Sequence, residues 1–170
     1  MKPEFLLFQL SVASGLIAWA WVSKSYIWPI VSSKSLIEGA RPLLLLNLFR
    51  YVGLMFMIPG VVSSQLPEEF ASSAGWGDMI AAGLAALTLL LSNTPFFKAS
   101  LWIFNLFGLI DLLHGFYVAR IVLGVNPADF RSAFILPTIY VPLLICSHIM
   151  IFLLLLQRAP KIDFGRVENK

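Results

Sequence analysis

Long apolar runs alternate with short polar punctuation along this chain. Five runs hold most of the large apolar side chains: residues 5–22, 41–62, 76–91, 100–123 and 135–156. About 20 mainly apolar residues in a helix cross a bilayer. In hydrocarbon every backbone donor and acceptor must be satisfied within the protein, which favours helices over open strands. The pattern therefore predicts an all-α integral membrane bundle of five transmembrane helices, forming one domain over residues 1–170.

The punctuation sets the boundaries. Residues 23–40 hold Lys24, Lys34 and Glu38 together with Tyr26 and Trp28. Such aromatics prefer the headgroup level, so this stretch reads as an interfacial segment broken at Pro29. Pro42 suits the first turn of the second helix, where its missing donor costs nothing. Pro59-Gly60 ends that helix, and Leu66-Pro67-Glu68-Glu69-Phe70 reads as a loop with one short helix. The third run is rich in Ala and Gly, which let helices approach closely in lipid, so it belongs near the bundle centre. Ser92-Asn93-Thr94-Pro95 ends it by turn chemistry. Gly124 to Pro127 stops the fourth run, and Asn126 or Asp129 can start a short amphipathic turn through Phe134. In the fifth, Pro142 predicts a kink near Thr138. The first run follows Met1-Lys2-Pro3-Glu4, too weakly positive for a secretory signal, and reads as a retained span.

Composition sharpens this picture. Hydrophobic residues make up 59% and charged residues 12%, about half the charge of a soluble domain. The surplus apolar surface has to face lipid, and no length remains for a soluble catalytic domain. Lys24, Lys34, Arg41, Lys98, Arg158, Lys161, Arg166 and Lys170 fall on one side of a five-span layout. Lys2 and Arg131 fall on the other, with Arg120 near its edge. The basic side belongs in the cytoplasm, which puts the amino terminus outside, the carboxyl terminus inside and the protein in the inner (cytoplasmic) membrane. The net charge of +3 sits in loops and termini and does not point to nucleic acid. Cys146 stands alone, so neither a disulfide framework nor a thiolate metal cluster can form within the chain.

Ionisable groups at membrane depth are expensive and become functional-site candidates. Arg50 lies nine residues into the second run, roughly 13 Å from the cytoplasmic end at the helical rise, and Asp111 roughly 16 Å by the same measure. A bidentate Arg50–Asp111 pair would satisfy both charges. It would pin two helices together or form a proton or anion site; otherwise Arg50 snorkels. Asn47-Leu48-Phe49 recurs as Asn105-Leu106-Phe107 at matching depth, so Asn47 and Asn105 are placed to hydrogen-bond across helices. With His114 and His148 these residues make the expected polar centre.

His114 shares a helix face with Asp111. Two histidines on different helices raise a b-type haem, although their depths differ by about 8 Å at the helical rise. Neutral core histidines or proton handling are the other readings. Asp78 reads as a first-turn acid favoured by the helix dipole, and with Glu68 and Glu69 it makes an acidic outer end without metal-ligand spacing.

No HExxH, GxSxG, Walker loop or CxxC motif occurs. The pattern Phe49-Arg50, Gly53, Pro59-Gly60, Leu66-Pro67, Phe70-Ala71 and Gly75-Trp76-Gly77-Asp78 resembles a group of small bacterial multi-pass inner-membrane proteins with no assigned function. That resemblance implies a bacterial inner-membrane setting and no chemistry. The expectation is a non-enzymatic accessory or binding protein for membrane lipid, an apolar ligand or a membrane partner, as a homo-oligomer or within a larger complex. A proton-coupled carrier or channel built on Arg50, Asp111 and the histidines is the alternative, and a haem electron carrier a further one.

Overall fold

A computed structural model describes residues 3–157. Lys2, Arg158, Lys161, Arg166 and Lys170, which contributed to the charge count, lie outside them. Five helices are each long and apolar enough to cross a bilayer: α1 (Pro3–Ser32), α2 (Leu36–Met57), α3 (Glu68–Leu90), α4 (Phe97–Val122) and α5 (Leu136–Gln157). Among the described residues no strand forms. A short 3-10 segment, Pro127–Phe134, joins α4 to α5, and Asn126 caps it by accepting from the Ala128 N–H at 3.0 Å.

Two boundaries differ from the sequence reading. Residues 23–40 are not one broken interfacial segment. The first helix runs on through Ser32 by widening into a π turn at Ser23–Ile27. Pro29 has no N–H for a carbonyl one turn back, and the wider turn carries the chain past that gap. The second helix starts at Leu36, ahead of Pro42. Ser35 caps it in a reciprocal box with Glu38, at 3.3 Å in each direction, so two orphan N–H groups are satisfied at once.

The second half of α2 is wound tighter, as a 3-10 helix over Phe49–Met57. In that geometry residues three apart eclipse one another. Arg50, Gly53 and Phe56 are its buried residues, and they line up on the face towards α3. An α-helix would have rotated them progressively away.

Helix α3 begins at Glu68, eight residues before the expected Trp76, and swallows the loop and short helix expected there. Glu68 and Glu69 occupy its first turn, where the dipole favours acids. It packs against both α2 and α4, the central place its small residues indicate.

In α5 the disturbance near Pro142 is a π turn at Leu136–Tyr140. Thr138 O, one turn before Pro142, receives no hydrogen bond from it and instead meets α1. A Cβ on Gly15 would collide with that oxygen. The first 20 residues of α1 include no buried one; beyond Gly15 they are held by the Phe8 ring, which packs on Phe130 and Phe134.

Two apolar clusters close the bundle. Leu44, Leu101, Phe104, Ile151 and Leu154, all fully buried, fill the half towards the α3–α4 turn. Phe56, Phe70, Val125, Phe130 and Leu136 fill the half towards the α2–α3 loop. Each of α2 to α5 contributes to both, and the polar residues sit between the two.

The contrast between two helical glycines tests the α1–α5 contact. Ala is favoured over Gly within a helix by about 1 kcal/mol. At Gly83 a Cβ meets nothing within 4 Å, so Gly83→Ala should hold or raise the melting temperature in detergent. Gly15→Ala should lower it. Equal behaviour of the two variants would show that α1 does not rest on Thr138.

Candidate functional site

Arg50 has no solvent exposure at all. A guanidinium carries five N–H donors in a planar fork, and here each of its three nitrogens has an acceptor. Nε donates to Asp78 Oδ1 at 2.8 Å. Nη2 reaches the same Asp78 oxygen at 2.7 Å and Asp111 Oδ2 at 2.6 Å. Nη1 donates to Gly108 O at 3.1 Å and faces His148 Nε2 at 3.3 Å. One side chain of α2 thereby holds α3, α4 and α5.

The protonation pattern behind it follows from donors and acceptors. Arginine can only donate, so His148 Nε2 must accept. The proton is then on Nδ1, which donates to Asn105 Oδ1 at 2.8 Å. Asn105 Nδ2 returns a bond to His148 O at 3.1 Å. His148 is therefore a neutral, fully partnered histidine. The adjacent Ser147 points to another side of α5 and accepts from Asn47 Nδ2 at 3.0 Å.

Three glycines make space for this network. A Cβ on Gly53 would collide with the Asp78 carboxylate, one on Gly77 with that of Asp111, and one on Gly108 with the His148 ring at 2.5 Å. The tight 3-10 winding of α2 and the bare backbones of α3 and α4 are what let three charged side chains share one plane of the bundle.

The centre is sealed on one side and open on the other. Towards the α3–α4 turn, Phe104 stacks its ring 5.2 Å from the His148 ring, with Leu44 and Leu101 behind it. Towards the α2–α3 loop lies a cavity of about 80 Å³ that includes Asp78 and Asp111 in its lining. One water takes roughly 10–15 Å³ on this measure, so it has room for several waters or a small polar headgroup. Its walls are aromatic: Phe5 and Phe8 of α1, Phe56, Phe70, Phe116 and Phe130. Arg120 stands at its edge, with its guanidinium carbon 4.6 Å from the centre of the Phe5 ring.

The expected polar centre is thus partly assembled as foreseen and partly not. Arg50 and Asp111 meet, but through one hydrogen bond and not a bidentate fork, because Asp78 takes the other prong. Asp78 is not a first-turn acid. It lies ten residues into α3, at roughly 15 Å along the helix, while Glu68 and Glu69 stay exposed at the helix start. Asn47 and Asn105 do not bond to each other; α5 comes between them and gives each a partner. His114 is exposed and lines the cavity, outside the buried network. Both ring nitrogens of His148 are engaged, so iron coordination there would require Arg50 or Asn105 to let go. Among the described residues no three of His, Cys, Asp and Glu are grouped to hold a metal ion. Pro67-Glu68-Glu69, proline then acids at a helix start, was the signal that would have moved Asp78 to membrane depth.

A family model described as a domain of unknown function (DUF8737) matches residues 7–156. No curated protein and no solved structure matches the chain.

Charge arithmetic orders the variants of this centre. Arg50→Met leaves the buried Asp78 and the part-buried Asp111 without their cation, and breaking a buried pair in this way costs about 3–5 kcal/mol. Asp78→Asn or Asp111→Asn leaves one cation facing one anion and should cost clearly less. The triple change Arg50→Met, Asp78→Asn, Asp111→Asn should recover most of the loss. Unfolding in mixed micelles with increasing dodecyl sulfate reads all four, and an Arg50→Met protein as stable as the wild type would contradict the structural role.

Proposed function

The chain belongs to this family of unknown function, and we propose that it is a small membrane-embedded binding protein. It accepts the polar end of an amphipathic ligand from the lipid side. The observation that carries this reading is the cavity beside Asp78 and Asp111, which joins an aromatic wall to two carboxylates. Binding sites for small molecules combine an apolar lining with a few placed polar groups in this way.

Helix α1 supplies the entrance. Phe5 and Phe8 form one wall of the cavity, and the helix that bears them buries no residue in its first 20. Phe8 rests on Phe130 and Phe134 at 5.8 and 5.7 Å between ring centres, so in this reading opening the wall exchanges those ring contacts for contacts with the ligand. Charge gives the orientation in this reading. Lys24, Lys34, Arg41 and Lys98 gather towards one end, which faces the cytoplasm of the inner membrane by the positive-inside rule. The cavity then opens in the outer half of the bilayer. Among the described residues no nucleophile stands beside a free base, which favours binding over catalysis in this reading.

A second reading is a proton-coupled carrier. It draws on the two carboxylates that share one guanidinium, with His114 on the same cavity wall. Proton flux into liposomes that persists in Asp111→Asn would remove its basis.

The binding reading predicts a retained ligand. Protein taken from native membrane in mild detergent should release a stoichiometric amphipathic molecule on solvent extraction, read by mass spectrometry. A Cβ on Gly115, in the cavity wall, meets nothing within 4 Å. Gly115→Trp should therefore fill the cavity, keep the melting temperature and lose the molecule. Identical extracts from the wild type and Gly115→Trp would overturn the reading.

A further inference from the structure

The charges around the cavity do not balance, and the imbalance names a ligand class. Arg50 offers one positive charge to Asp78 and Asp111, which together carry two negative charges when ionised. The side chains of Asp78 and Asp111 keep 12% and 19% of their surface exposed, and both line the cavity. Each carboxylate spends only one oxygen on Arg50: Oδ1 of Asp78 and Oδ2 of Asp111. Among the described residues, Asp78 Oδ2 and Asp111 Oδ1 accept no hydrogen bond from a side chain or backbone; each rests against a bare glycine, Gly53 and Gly77 respectively, which offers it no donor. An uncompensated charge with unused acceptors at this depth is unfavourable, so a cationic donor is stabilised there.

Resting on the binding reading above, we propose that the cavity takes an amphiphile with a primary or secondary ammonium head. The head would sit beside Asp78 and Asp111, and its alkyl body would run out past Phe5 and Phe8 into lipid.

Three features separate this class from others. An inorganic cation needs several oxygen ligands, and this cavity offers two carboxylates among six phenylalanines. An anionic head would face the two carboxylates at close range. Arg120 does not cancel them: it lies nine residues further along α4, at the lip. An ammonium fits on both counts, because its N–H groups supply the missing donors and aromatic faces attract a desolvated cation. The cavity volume of about 80 Å³ suits such a head without its chain, in keeping with a body that stays outside. A quaternary ammonium would satisfy the rings but leave the carboxylate oxygens without donors.

Titration of the wild-type protein with dodecylammonium, dodecyltrimethylammonium and dodecanol in nanodiscs of zwitterionic lipid tests this directly. Dodecylammonium should bind about tenfold tighter than dodecanol, and tighter than the trimethyl compound. Asp111→Asn should reduce that preference, and Gly115→Trp should abolish binding of all three. Equal affinity for the amine and the alcohol, with both lost in Gly115→Trp, would overturn the ammonium class and leave the amphiphile pocket standing. Binding of all three that is indifferent to Gly115→Trp, or no binding at all, would overturn the pocket reading itself. The wild-type comparison decides the class even if Asp111→Asn fails to fold.

Discussion

Everything in this bundle has to accommodate one guanidinium with no access to water. Leaving Arg50 short of a single acceptor would cost more than most apolar contacts return, so the surrounding helices are shaped to bring four acceptor atoms to its three nitrogens. The 3-10 winding of Phe49–Met57 keeps Arg50 in line with Gly53 and Phe56. Gly53, Gly77 and Gly108 give up their side chains where Asp78, Asp111 and His148 come in. Asn105 fixes the tautomer of His148 so that its free nitrogen accepts from the arginine. The network is therefore also the register device of the fold: sliding α3 or α4 by one residue would move a carboxylate to another face and strand the cation.

Much of this architecture is legible in the sequence, because membrane solvation is a severe filter. Five apolar runs, a Gly/Ala-rich central helix, the caps around Asn126 and the depth of Arg50 against Asp111 all follow from length, rise and composition. What escaped is equally physical. Proline was read as a break at Pro29, whereas a helix in an apolar setting absorbs it with a π turn. The apolar run from Trp76 places Asp78 in a first helical turn, where the dipole favours an acid. The glycines do mark close packing, but α3 runs straight through them from Glu68. That single error of about 12 Å along the axis placed Asp78 at the surface when it is the principal partner of Arg50. The insertion of α5 between Asn47 and Asn105 could not be read from depth alone, since depth carries no information about which helices are neighbours.

A charge network that served only to hold helices would be expected to close on itself. This one does so on one side, where Phe104, Leu44 and Leu101 shut off His148 and Asn105. On the other side it stops short, with a second carboxylate, two unused acceptor oxygens and a cavity that α1 covers without burying a residue of its own first 20. Stability alone does not call for that asymmetry, because one aspartate would balance Arg50 and an apolar residue at position 111 would seal the cavity. The extra carboxylate makes sense as half of an interaction whose other half comes from the membrane. In the proposed role the exposed first helix, the aromatic lining and the surplus negative charge are then parts of one device. In the proposed binding role, the buried arginine holds the two carboxylates in place, the phenylalanines line the approach to them, and α1 stands between them and lipid.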